Sequence, residues 1–206
     1  EGVKKIAGMY LLLTKKGSLF LADTTVNIKP TAEEIADITL MVAKEVRNFN
    51  IEPRIAMLSY SNFGSSDTEE AKMMAEATKI VKQRNPSLIV DGEMQGMLAF
   101  NKDILKENYP FSDLVDVDVN VLIFPNLTAG NVAYHLLKEI GGVDIIGPIL
   151  LGLKKPVNVL QLGSGVRNII NMATVAVVDA QLKSRVDTNT EVQRSSWWKR
   201  LKKRKK

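Results

Sequence analysis

The sequence predicts an α/β fold, a mostly parallel sheet with helices on both faces. Short apolar runs recur along the chain, each followed by a polar loop and then by a stretch with apolar residues at helical spacing. That order calls for parallel crossovers. The 206 residues are 45% hydrophobic and 25% charged, enough for one sizeable core or two small lobes. No short-period repeat breaks the alternation.

Val3 to Leu13 and Ser18 to Asp23 are apolar runs on either side of Lys15-Lys16-Gly17, which predicts a β-hairpin. Pro30-Thr31-Ala32-Glu33-Glu34 opens a helix. The Thr31 side chain can accept from the Glu34 N–H while Glu34 reaches back, a capping box. Ile35, Ile38, Met41, Val42 and Val46 then continue at helical spacing. Ile55 to Tyr60 predicts a short buried strand, Ser61 to Asp67 a polar loop, and a helix follows to about Arg84. Leu88-Ile89-Val90 is another strand, ending at Asp91-Gly92-Glu93. Asn120 to Phe124 repeats the pattern, followed by the loop Pro125 to Asn131 and a helix through Ile140. Gly147 to Gly152 is a Gly-Pro-rich run. A last strand is expected near Val157 to Leu160, before a long helix from Val166 to about Gln181.

Composition removes several chemistries. With no cysteine, there is no disulfide, thiolate nucleophile or cysteine metal site, and a cytoplasmic location is the expectation. The single histidine, His135, lies beside the apolar positions Val132, Leu136, Leu137 and Ile140, so a packed or surface role is expected of it. No apolar run is long enough to span a bilayer. The formal charge of +5 is misleading when taken whole. Residues 194 to 206 hold eight Lys or Arg and no acid, leaving 20 bases against 23 acids, about −3, in the rest. A nucleic-acid-binding face is not expected there.

Chemistry is expected in the polar loops, because ligands of open α/β sheets bind beyond the carboxyl ends of the strands. Four stretches qualify: Ser61 to Asp67, Asp91 to Gln95, Pro125 to Asn131 and Asn158 to Ser164. Their Ser, Asn, Gln and Gly residues suit hydrogen bonds to a neutral or phosphorylated ligand, and equally suit turns and caps. Asp91 and Glu93 offer two carboxylates for acid–base work, or for helix capping and arginine pairing. Lys155-Pro156-Val157-Asn158-Val159-Leu160-Gln161-Leu162-Gly163 leads into a helix N-terminus, a natural place for an anion.

From its first residues to about Gln181 the chain resembles the phosphate acetyl/butyryltransferase family. The motifs are Ala22-Asp23 with Pro30 to Glu34, Met57-Leu58-Ser59-Tyr60-Ser61, Asp91-Gly92-Glu93, Phe124-Pro125-Asn126-Leu127, Gly147-Pro148-Ile149-Leu150, Gly152-Leu153 and Lys155-Pro156-Val157-Asn158. More narrowly, Ser61 to Asp67, Asp91 to Met94 and Val166 to Met172 look like the phosphotransacetylase-like C-terminal domain of hybrid bacterial malic enzymes. The resemblance implies lobes like those of isocitrate and isopropylmalate dehydrogenases. Residues 1–184 would form a phosphotransacetylase-like domain lacking its upstream segment. Within it, 1–152 would be the second lobe, 153–184 the return to the first lobe, and 185–206 a basic tail.

The departures from the family bear on function. Active phosphotransacetylases carry an Asp after Pro-Val-Asn, then a Ser-Arg pair, then a second Asp at the start of the next helix. Val159, Gln161 with Leu162, and Asn168 stand at those places. The resemblance implies that the lost arginine helps hold phosphate or CoA and that a lost aspartate assists deprotonation of the CoA thiol. Without them catalysis would fall by orders of magnitude. The resemblance thus implies a regulatory and oligomerisation domain of an NADP-dependent malic enzyme, which would bind acetyl-CoA or a related acyl-CoA without acyl transfer. An active phosphate acetyltransferase and a ligand-free dimerisation module are the alternatives. The expected lining is Ser61, Asn62, Gly64, Ser65, Asn126, Asn131, Asn158, Gln161 and Arg167, with Arg167 as the charge partner. NADP and Mg or Mn would belong to the malic catalytic half, and a dimer through this domain is the expected assembly. Ile169, Ile170, Met172, Val175 and Val178 are expected in the core or the dimer surface.

Ser195-Ser196-Trp197-Trp198-Lys199-Arg200-Leu201 and the lysines after it break in composition from the domain. A solvated terminus, contact with an anionic membrane, and nucleic-acid stacking are the three readings of this tail.

Overall fold

The computed structural model describes residues 5–160, 163–182 and 184. Six strands form one sheet: β1 (Ala7–Thr14), β2 (Gly17–Ala22), β3 (Arg54–Leu58), β4 (Ile89–Met94), β5 (Val121–Ile123) and β6 (Asp144–Leu151). The helices are α1 (Ala32–Asn48), α2 (Glu69–Arg84), α3 (Gly96–Ala99), α4 (Lys102–Asn108), α5 (Leu127–Gly141) and α6, residues 166–182. Across the sheet the order is β4-β3-β5-β2-β1-β6. The β3–β4, β3–β5 and β2–β5 pairs are parallel, whereas β1 is antiparallel to both β2 and β6. Five strands therefore share one direction, with β1 opposed, in accord with the mostly parallel α/β sheet expected from sequence.

Period-two alternation separates two cores. Met9, Leu11, Phe20, Ile55, Met57, Val121 and Ile123 point to one face, where α1 and α2 bury Ile35, Ile38, Val42, Met74 and Val81. Tyr10, Leu12, Leu21, Ala56, Leu58 and Leu122 point to the other, against Leu98, Leu105 and Tyr134 of α3, α4 and α5. Helices thus cover both faces. Tyr10 and Tyr134 stack with centroids 3.9 Å apart. Burial, then the hydrogen bond with Tyr134, pushes the Tyr10 phenol well above its ordinary value.

The capping box forms as the sequence predicts. Thr31 Oγ1 accepts from Glu34 N at 3.3 Å, and Thr31 N donates to Glu34 Oε2 at 2.9 Å. The last strand falls elsewhere than expected. The Gly-Pro-rich run lies inside β6, and residues 157–160 contribute only an isolated antiparallel bridge from Asn158 to Ile149. Pro148 lacks an N–H and disfavours a strand interior, but the β1–β6 register shifts between Met9 and Leu11, opposite Gly147-Pro148. That irregularity absorbs the proline. Gly147 is required there: its φ is +145°, and a Cβ would come 2.5 Å from the Tyr10 ring.

Beyond β6 the chain turns back, and α6 lays Met172 and Val175 against the α1–α2 core. Several of its other apolar positions remain open, with Val166, Ile170 and Val177 more than half exposed. On α5 only Gly130 and Tyr134 are buried. Val132, Leu136 and Ile140, one helical stripe, are 52%, 53% and 82% exposed, so this stripe is unpartnered among the described residues.

Candidate functional site

β2, β3, β4, β5 and β6 all end at one edge of the sheet, so the segments after Ala22, Leu58, Met94, Ile123 and Leu151 share that edge. Toward one end of this edge, next to β4, is the loop after β3, built around the buried side chain of Glu93. Glu93 Oε1 accepts from Ser61 Oγ at 2.8 Å and from Gly64 N at 2.6 Å. The Glu93 carbonyl accepts from Phe63 N at 2.8 Å. Ser61 Oγ accepts in turn from Ser66 N at 3.1 Å and lies 3.2 Å from Ser65 Oγ, which accepts from Asn62 N at 2.9 Å. Ser61 N bonds Ser59 Oγ, and Ser65 N bonds the Asn62 carbonyl. Every backbone N–H from Ser61 to Ser66 is therefore engaged inside the loop or with Glu93. Asn62 Oδ1 accepts from Gln95 N at 2.8 Å, tying the loop to the start of α3.

The segment after β2 follows the same plan. Buried Asp23 accepts from Gly8 N at 3.1 Å, Thr25 N at 2.8 Å, Val26 N at 3.1 Å and Asn27 N at 2.8 Å, and from the Asn27 side-chain amide. Gly130 of α5 packs on this turn, where a Cβ would meet the Asp23 carbonyl at 2.3 Å. The turn thus fixes how closely α5 approaches the sheet.

The predicted lining residues separate into two groups. Ser61, Asn62, Gly64 and Ser65 share one loop. Asn126 and Asn131 stand at the same edge, after β5. Asn126 is a cap, Oδ1 accepting from Ala129 N at 2.9 Å, and Asn131 Nδ2 donates to the Thr24 carbonyl at 3.5 Å. Asn158 and Arg167 are not brought to these loops. Because Asn158 pairs antiparallel with Ile149, the chain is already running away from that edge. Asn158 Nδ2 donates to the Met172 carbonyl at 3.1 Å. Arg167 pairs with Asp144 at 3.2 Å, at the start of β6, and its side chain is 78% exposed. An eight-residue strand separates Arg167 from the loop edge, roughly 25 Å. The expected charge partner of the lining thus serves as an ion pair at the opposite edge. Gln161 and the tail after 184 lie outside the described residues.

Asp91 and Glu93 are strand residues of β4 rather than loop residues, and they do different work. Asp91 Oδ1 is 2.8 Å from Lys82 Nζ, which is also 2.8 Å from Asp113 Oδ2, and Asp91 Oδ2 accepts from Asp113 N at 3.0 Å. Burial alone would lower the Lys82 ammonium, yet its bonds to Asp113 and Asp91 hold it above the ordinary lysine value. Lys82 and Asp91 edge an open depression of about 420 Å³ beside α2 and β4, lined also by Thr78, Lys79, Gln83 and Gly92. Sequence reasoning missed Asp23 and the organising part played by Glu93. The Asp-Thr-Thr sequence at 23–25 carried a local turn signal, since Asp side chains bond backbone a few residues on. Nothing local marked Glu93. Among the described residues no three His, Cys, Asp or Glu come together as a metal site, and no helix is long and apolar enough to cross a membrane.

Comparison with known proteins places the chain in a family. The Phosphate acetyl/butaryl transferase family profile matches residues 1–177, and the chain belongs to that family. It is 49% identical over 181 residues to an NADP-dependent malic enzyme of Haemophilus influenzae, covering 88% of this chain and 24% of that protein. It is 37% identical over 180 residues to a phosphate acetyltransferase of Bacillus subtilis, covering 87% and 55%. Among solved structures, a phosphotransacetylase from Streptococcus pyogenes superposes with a TM-score of 0.82 at 37% identity, over 87% of this chain and 55% of that one. The chain thus spans about a quarter of the malic enzyme's length and about half of the acetyltransferase's.

Proposed function

We propose that this chain is a regulatory and oligomerisation domain of a hybrid malic enzyme, an enzyme that converts malate to pyruvate and CO2. It binds acetyl-CoA or a related acyl-CoA and does not transfer the acyl group. The observation that carries this reading is the 49% identity to a malic enzyme of which the chain spans only 24%. The loop edge supports it, because its two buried carboxylates are occupied in holding backbone N–H groups. The sole histidine, His135, is exposed on α5. A ligand that favours one arrangement of the domain shifts the population of the whole assembly, and an interface between copies carries that bias to a distant active site. NADP and Mg or Mn would belong to the remainder of such a protein.

Two measurements test the reading. Acyl-CoA formation from acetyl phosphate and CoA is expected at background, and substantial turnover by this protein would overturn the assignment. Titration calorimetry with acetyl-CoA should give saturable heat. Its absence would favour the ligand-free dimerisation module, a reading supported by the open apolar stripe on α5.

A further inference from the structure

We propose that Glu93 acts as a built-in anion that sets the specificity of the Ser61–Ser66 loop, closing it to phosphate and leaving it to recognise hydrogen-bond donors. A Ser- and Gly-containing loop ahead of a helix commonly cradles phosphate with its backbone N–H groups. Here six consecutive N–H groups, from Ser61 to Ser66, already have partners. The central acceptor is the Glu93 carboxylate, which takes Gly64 N and Ser61 Oγ on one oxygen. A phosphate entering the loop would have to displace it and would meet a like charge within a few ångströms.

The surroundings reinforce that exclusion. α2 begins with Glu69 and Glu70 in its first turn, and Asp67 precedes them, so the positive end of the helix dipole is already opposed by acids. The hydroxyls are also directional. Ser61 gives its hydrogen to Glu93 at 2.8 Å, so across the 3.2 Å contact Ser65 is the donor and Ser61 the acceptor. Ser65 Oγ already accepts from Asn62 N. One acceptor position of Ser65 Oγ is then left over, on an exposed residue. The surface presented there suits an amide N–H or a hydroxyl, the donors along the pantetheine arm of an acyl-CoA, and not its phosphates. This last assignment rests on the acyl-CoA reading above.

Amide hydrogen exchange of residues 61–66 in the whole chain, followed by mass spectrometry, tests the proposal without acyl-CoA. In the wild-type protein, millimolar phosphate should leave the exchange of this segment unchanged. Glu93→Ala should speed it about tenfold or more, as expected for loss of charge-assisted hydrogen bonds. Millimolar formate, an external carboxylate, should restore protection in that variant alone. Should Glu93→Ala fail to fold, Glu93→Gln keeps the volume and removes the charge, and its segment should exchange faster and become phosphate-protected. Phosphate protection of the wild-type loop would overturn the proposal. So would wild-type exchange in both variants, or a Glu93→Ala segment indifferent to formate, since packing alone would then explain the residue. A wild-type protein that exchanges as expected but gives no heat with acetyl-CoA would sink the proposed function and leave the role of Glu93 standing.

Discussion

Three buried acids, Asp23, Asp91 and Glu93, lie within the sheet or at its carboxyl edge and are satisfied in two ways. Asp23 and Glu93 take backbone N–H groups, so a single side chain replaces the ladder bonds that a loop cannot make. Asp91 takes a cation and a backbone N–H instead. Lys82 is thus the residue on which β4 and the segment around Asp113 converge. Lys82→Met should cost about 2 kcal/mol in chemical denaturation, because Asp91, only 7% exposed at its side chain, would be left without its cation. Asp113→Asn, at a side chain 58% exposed, should cost less than about 1 kcal/mol. Equal losses for the two variants would mean that the ion triad does not depend on Asp91. Since Lys82 is held above the ordinary lysine value, its contribution is complete below that value and fades only as pH rises through the raised one, so neutral-pH stability should not sense it.

At the scale of elements, α1 shows how much a local motif can decide. Thr31→Ala should destabilise by about 1 kcal/mol, measured as a shift in the urea midpoint. The Lys5 ammonium, then the Thr31 N–H, hold the Glu34 carboxyl below the usual carboxylate range. Its contribution is therefore present above that range and lost as pH falls through the depressed value. A Glu34→Gln protein should show a flatter loss of stability on acidification, and an unchanged acid limb would remove Glu34 from the cap. This cap was legible in the sequence because its partners are three residues apart. The hairpin and the parallel strands were legible from alternation and spacing. β6 was not, because Gly147 and Pro148 signal a break and only the irregular partner strand β1 makes room for them. The pairing of Ser61 with Glu93 was not legible either. It spans β3, α2 and β4, and depends on two strands ending side by side. Arg167 misled for a related reason: its place in the chain follows a loop motif, but the reversal at Asn158 carries it to the other edge.

On the scale of the whole molecule, the outward faces are as informative as the core. Val132, Leu136 and Ile140 on α5, with Val166, Ile170 and Val177 on α6, expose more apolar side chain than scattered surface residues would. If α5 forms an interface between copies, Leu136→Glu combined with Ile140→Glu should lower the mass measured by light scattering. Stability of the isolated fold should shift by no more than about 0.5 kcal/mol, since both sites are open to solvent. An unaltered mass would place α5 outside any such interface.

The sheet order carries one more consequence. Ala7 meets Leu151, so the outer edge of β1 waits for β6, the last of the described strands, before it is paired. During synthesis, β1 and β2 can close their hairpin early. The opposite rim of β1, along Met9 to Leu12, then stays open until residues 144–151 have emerged from the ribosome. Until then this rim is open to strand-mediated aggregation, and arrival of β6 closes that window.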